Sequence, residues 1–132
     1  MSDCVALAFR RGMLEHILAL RPKLALYSKV AQLNEKTARY SSDAEVRGDG
    51  YQPGGVPLSG GKISETKDGL TITFDNVVWQ NATIAARQAL IYLADDAGRA
   101  VRVVDFGKDI VSTNGPFTVY LPSAADGGVV TI

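Results

Sequence analysis

LTITFDNVVWQNATIAARQALIYLADDAGRAVRVVDF, residues 70–106, decides the fold of this chain. Leu70-Thr71-Ile72-Thr73-Phe74-Asp75 alternates apolar and polar side chains, and a period of two marks a strand with one buried face. Leu70, Ile72 and Phe74 are expected to point inward, and Thr71, Thr73 and Asp75 outward. Trp79 follows after a short link. Residues 82–93 are a longer apolar run whose inward parity changes between Ile84 and the set Ala89, Ile91 and Leu93. A β-bulge near Arg87-Gln88 makes that change, because one extra residue reverses which side chains face in without ending the strand. Asp95-Asp96-Ala97-Gly98 has the composition of a hairpin turn, and residues 99–106 return as the partner strand.

Working outward, Asn114-Gly115-Pro116 reads as a second turn, followed by a strand over 117–121 and a last short strand over 129–132. Residues 23–27, 56–58 and 62–64 are short strand candidates upstream. Residues 28–42 are polar and read as a long loop with at most one helical turn. Residues 45–55 hold four glycines and one proline, the composition of a loop that needs positive φ or close backbone approach. Trp79, Tyr92 and Phe74 are core candidates. The links are too short for crossover helices, so the strands pair antiparallel. The expected architecture is mainly β: an antiparallel β-sandwich, Ig-like or jelly-roll-like, of about seven to eight short strands with one N-terminal α-helix.

That helix is expected over residues 3–20. Asp3 suits the N-cap, apolar side chains recur at Ala6, Phe9, Met13, Ile17 and Leu20, and Arg21-Pro22 ends the element. Two readings stand side by side: the stripe packs on the body of the domain, or the helix is an arm docking on a neighbouring subunit. The chain thus divides into a helix or arm, 1–21, and a β-sandwich, 22–132.

Composition excludes more than it proposes. The 132 residues carry 14 Lys plus Arg and 14 Asp plus Glu, a formal net charge of zero. With no basic excess to neutralise phosphates, nucleic acid is not expected as a partner. One cysteine, Cys4, and one histidine, His16, exclude an internal disulfide and a Cys/His zinc site. No apolar run is long enough to span a membrane, so no membrane partner is expected. Charges at Arg10, Arg11 and Glu15 interrupt the N-terminal stretch where a signal peptide is apolar, so folding in the cytosol is expected.

The catalytic inventory is thin. Asp105-Phe106-Gly107 matches the magnesium-binding tripeptide of protein kinases, but nothing else of that motif set is present. The expectation is that Phe106 closes a core strand and Gly107 turns the chain. The glycines between 48 and 61 lack the phosphate-loop order. His16 has no nucleophile elbow to serve, and Cys4 has no basic cluster around it. Asp95-Asp96 and Glu45 with Asp49 read as solvated turn carboxylates. A weak calcium site among Asp43, Glu45 and Asp49 is the lesser reading. No catalytic residue, cofactor or metal is therefore assigned. Tyr40 and Tyr51 flank polar loops, where a phenol either anchors an interface or packs the loop. With Phe9, Met13 and Ile17 they are the candidate interface residues.

Several runs together resemble one protein family: residues 24–28 (LALYS), 44–51 (AEVRGDGY), 54–58 (GGVPL), 73–79 (TFDNVVW), 81–87 (NATIAAR), 89–92 (ALIY), 104–107 (VDFG) and 112–119 (STNGPFTV). Over roughly residues 4 to 132 the chain is similar to small virion structural proteins of tailed bacteriophages. Lys29, Glu35, Lys36 and Arg39 make its first half more charged than is usual in that family. The resemblance implies a non-enzymatic virion component with a β-sandwich body, assembled in the host cytoplasm. The expected function is a capsid decoration or cement protein that binds the outer shell and bridges capsomers. Its expected partners are itself, as a trimer or dimer, and the major capsid protein or other virion proteins. A neck, connector or tail component is the alternative, and a carbohydrate-binding β-sandwich a further one.

Overall fold

The computed structural model describes residues 5–67 and 69–132. The described residues are mainly β, with one α-helix, α1 (Leu7–Ala19), a single 3-10 turn (Ala124–Asp126) and seven strands: β1 (Pro22–Tyr27), β2 (Val56–Pro57), β3 (Lys62–Thr66), β4 (Gly69–Thr73), β5 (Val77–Leu93), β6 (Arg99–Val119) and β7 (Val130–Thr131). They form two sheets, ordered β2-β1-β5-β6 and β3-β4-β7, and every pairing is antiparallel. The sandwich-like, antiparallel architecture expected from the alternating stretches is present.

The β5–β6 hairpin dominates. Its turn is the expected Asp95–Gly98, with Ala97 and Gly98 at φ of 53° and 74°. Along β5 the inward residues run Val77, Trp79, then Ala82, Ile84, Ala86, then Ala89, Ile91, Leu93. The parity changes twice, at register shifts between Trp79 and Ala82 and between Ala86 and Gln88. The second is the expected bulge at Arg87-Gln88. Pairing there jumps from Ala86↔Ile110 to Gln88↔Asp105, so residues 106–109 of β6 loop out opposite Arg87. Gly107, at φ 77°, accommodates the bulge. It does not turn the chain as expected, because β6 continues beyond it.

Asn114-Gly115-Pro116 is likewise no turn. It lies inside β6, with Gly115 opposite Ala82 and Asn114, at φ 48°, in the further register shift between Ala82 and Ile84. Turn-forming residues here bend a strand that stays paired, and two expected strands become one of 21 residues.

Beyond Gln88 both faces of β5 are buried. Ala89 and Ile91 join Leu24, Leu26, Trp79 and Phe117 in the main core. Leu90 and Tyr92 pack with Ala25 and Tyr27 on the opposite face, under Ala31, Leu33 and Tyr40. The cover is the segment 28–55, a strap without a helical turn, fastened by isolated bridges Arg39↔Arg99, Tyr27↔Glu45 and Asp49↔Thr83. Its glycines serve close approach: a Cβ on Gly55 would stand 1.8 Å from the Leu24 carbonyl oxygen.

Two expectations fail locally. Thr71, expected outward, is buried, because the C-terminal segment folds over it: its hydroxyl donates toward the Gly127 and Val130 carbonyls and accepts from Thr131. Helix α1 turns a different face to the body than its Ala6–Phe9–Met13–Ile17–Leu20 stripe suggests. Leu14 is fully buried against Leu70 and Ile72, with Ile17 and Leu18 beside it. Phe9 and Met13 stay 63% and 48% exposed. The helix therefore packs on its own domain through one apolar set and presents the other outward. It starts at Leu7 with Ala6 at the N-cap; the N-cap expected at Asp3, and Cys4, lie outside the described residues.

Candidate functional site

The polar centre of the molecule is Glu45, only 8% exposed. It sits where the strap turns alongside β1. Ser28 N–H donates to the Ala44 carbonyl and Val46 N–H to the Leu26 carbonyl, so residues 44–46 extend the sheet at its β1 edge. The Glu45 carboxylate accepts three hydrogen bonds: Tyr40 Oη on Oε1 at 2.5 Å, Tyr51 Oη on Oε2 at 2.5 Å, and Gly54 N–H on Oε2 at 2.7 Å. The Tyr51 hydroxyl also accepts from Leu26 N–H at 2.9 Å, capping a donor of the sheet edge. Tyr92 Oη donates to the Gly54 carbonyl and Tyr27 Oη to the Ser41 carbonyl, each at 2.6 Å. Tyr40 stacks on Tyr92 with centroids 4.7 Å apart. Four phenols and one carboxylate thus tie the strap to both faces of the sheet.

Both carboxylate oxygens accept bonds from within the chain. Chemically this is a clasp: charge-assisted bonds, short and roughly twice as strong as neutral ones, hold an irregular segment that has few ladder bonds of its own. Tyr40 and Tyr51 take the loop-packing role. Tyr51 is 7% exposed, which corrects its place among candidate interface residues, since it keeps no surface for a partner. Tyr40 is half-buried and committed to Glu45 and Tyr92. Ile17 is half-buried against the β3–β4 sheet. Phe9 and Met13 alone of the five stand open.

The phenols supply a pH dependence. Burial pushes Tyr27 up to about 12. Tyr40 and Tyr51 are raised further in the same direction, by burial first and then by the bond to Glu45; burial also raises Tyr92. An unfolded tyrosine ionises near 10. Above that pH the unfolded state holds fewer protons than the folded one, so the stability these groups contribute is complete below about pH 10 and falls as pH rises towards 12. Base titration is expected to give one cooperative transition for the cluster, in which the absorbance of its four phenolates appears together with the loss of β-sheet circular dichroism. Gradual ionisation of the cluster in a chain that stays folded would contradict this account.

The other carboxylates are engaged or scattered. Asp95 accepts two bonds from Arg21, whose guanidinium holds it below the usual carboxylate range, and Asp96 pairs with Arg99 at 2.9 Å. Asp43, Glu45 and Asp49 do not converge: among the described residues no group of three potential ligands is close enough to hold a metal ion. His16 is exposed on α1. An open apolar groove of about 310 Å³ runs along β6, lined by Val104, Phe106, Ile110, Phe117, Val119 and Tyr120, with Thr118 its one polar side chain.

Tyr40 and Tyr51 stand out in the sequence, whereas Glu45 reads there as a solvated turn carboxylate. The available signal was a carboxylate with tyrosines five residues before and six after it, inside a glycine-rich stretch. Tyr27 and Tyr92 come from strands far away in sequence, and no local pattern announces them. Comparison with protein-family models, with curated proteins and with solved structures finds no match.

Proposed function

We propose that this chain is a non-enzymatic structural protein of a tailed-phage virion, a decoration or cement protein that binds the outer shell and bridges capsomers. The observation that carries the reading is where its chemistry is spent. Among the described residues, every buried polar side-chain atom has an internal partner, while large apolar side chains stand exposed on separate surfaces: Phe9 and Met13 on α1, Val111 and Tyr120 on β6 and just after it. Exposed apolar groups on a folded domain favour contact with neighbours. The resemblance of the sequence runs to small virion proteins supports the same reading. Zero net charge suits crowding of many copies on one surface, where modest contacts gain from avidity. A carbohydrate-hydrolysing role is less well supported, because Asp95 and Asp96 are tied up by Arg21 and Arg99.

Quantification of this chain against the coat protein in purified virions tests the proposal. A copy number equal to the coat protein, or a simple fraction of it, is expected. A handful of copies would move the chain to a ring or fibre on the particle axis. Its absence from particles, or turnover of a small molecule by the isolated chain, would overturn the virion reading.

A further inference from the structure

Helix α1 carries a surface that its own domain leaves unused. With 3.6 residues per turn, Leu14, Ile17 and Leu18 define the packed side, and three rows run along the side facing solvent. Ala8, Gly12 and His16 form the crown, on the side away from the body. Phe9 and Met13 form a row on one flank, and Arg11 and Glu15 a row on the other. All seven residues are exposed.

Two details of this face have no reason within the chain. Gly12 sits in the middle of a helix, where glycine is a poor choice, yet a Cβ there would meet nothing within 4 Å, and its φ is not in the left-handed region. Neither local conformation nor internal packing requires it. A second backbone approaching the crown does, because only a glycine lets another helix come close. Arg11 and Glu15, meanwhile, have no hydrogen-bond or ion-pair partner among the described residues. Their order, cation before anion at a spacing of four, is the weaker one for a bond within a helix.

We infer that this face of α1 is a contact with a second copy of the same chain, an antiparallel helix pair crossing at Gly12 about a two-fold axis. Antiparallel pairing sets like flanks against each other with their directions reversed. Arg11 of one copy then meets Glu15 of the other and Phe9 meets Met13, each twice by symmetry, while His16 lies over the small Ala8 on either side of the Gly12 crossing. The charges are self-complementary in that arrangement; in a parallel pair they would not be. A helix of 13 residues is about 20 Å long, so this contact alone buries less than a standard stable interface and describes a weak, reversible dimer. The inference concerns the isolated chain and stands whether or not the virion reading holds.

Sedimentation equilibrium of the full chain across a wide concentration range tests it. Concentration-dependent dimerisation is expected. Arg11→Glu or Glu15→Arg alone should weaken it about tenfold, since each places two like-charge contacts in the dimer, and the double reversal should restore it. Gly12→Leu should raise helix stability yet abolish the dimer, a pairing of effects that a damaged fold would not give. A chain that is monomeric throughout, or an association indifferent to these four variants, would overturn the inference. So would loss of binding to assembled shells in the same variants of a monomeric chain, which would assign the face to a foreign partner.

Discussion

Glu45→Ala is expected to destabilise the protein by about 3–5 kcal/mol, since it abandons three donors at once and a buried donor without a partner costs roughly 1–3 kcal/mol. The three are the Tyr40 and Tyr51 hydroxyls and the Gly54 N–H. Tyr51 suffers most, because its hydroxyl lies in the core and already accepts from Leu26 N–H, so it cannot swing to solvent without uncapping the sheet edge. Glu45→Gln should cost less, about 2–3 kcal/mol: the amide keeps one acceptor oxygen but turns an N–H₂ towards a hydroxyl or N–H that was donating. Denaturant melts of the two variants give the test. The control is Glu45→Ala combined with Tyr40→Phe, which removes acceptor and donor together without uncapping Leu26 and should recover part of the loss. If Glu45→Ala melts at the wild-type midpoint, the clasp contributes nothing and the strap is held by its apolar anchors alone.

The contrast between what could and could not be read from the sequence follows from distance along the chain. Alternation at residues 70–74, the parity change near Arg87 and the Asp95–Gly98 turn are local patterns, and each is present in the fold. Asn114-Gly115-Pro116 misleads because the same residues that reverse a chain also relieve a bulge, and only pairing with Ala82 decides between the two. Thr71 reads as outward because nothing local says that residues 127–131 will fold across it. Helix α1 is apolar on two flanks, so its periodicity alone cannot choose between the Leu14 side and the Phe9–Met13 side; the choice is made by Leu70 and Ile72, some fifty residues on. The tyrosine clasp is the extreme case. It assembles Tyr27, Tyr40, Glu45, Tyr51, Gly54 and Tyr92 from two strands and a strap that has no periodicity at all.

Trp79→Ala is expected to cost about 3–5 kcal/mol as well, by a different mechanism: a large buried side chain is removed and the cavity collapses only in part. Trp79 is 6% exposed and pairs across the hairpin with Phe117, their rings 6.1 Å apart and nearly edge-on. Phe117 in turn touches Phe106, so the loss reaches the bulged part of β6. On its other side Trp79 packs against Tyr51 at 5.8 Å. That contact links the apolar core to the clasp, since Tyr51 is the residue whose hydroxyl serves both Glu45 and Leu26. The two largest effects should therefore not add. In Trp79→Ala the Tyr51 ring loses its backing and its bond to Glu45 weakens, so Glu45→Ala should cost at least 1 kcal/mol less there than in the wild-type chain, in the usual range for coupled neighbours. A domain of this size is stable by only about 5–15 kcal/mol, so Trp79→Ala should still be measurable at low temperature or in a stabilising osmolyte, and the double variant is the informative one. Strict additivity in those melts would mean that Tyr51 holds its place without Trp79, and that core and clasp stabilise the fold independently.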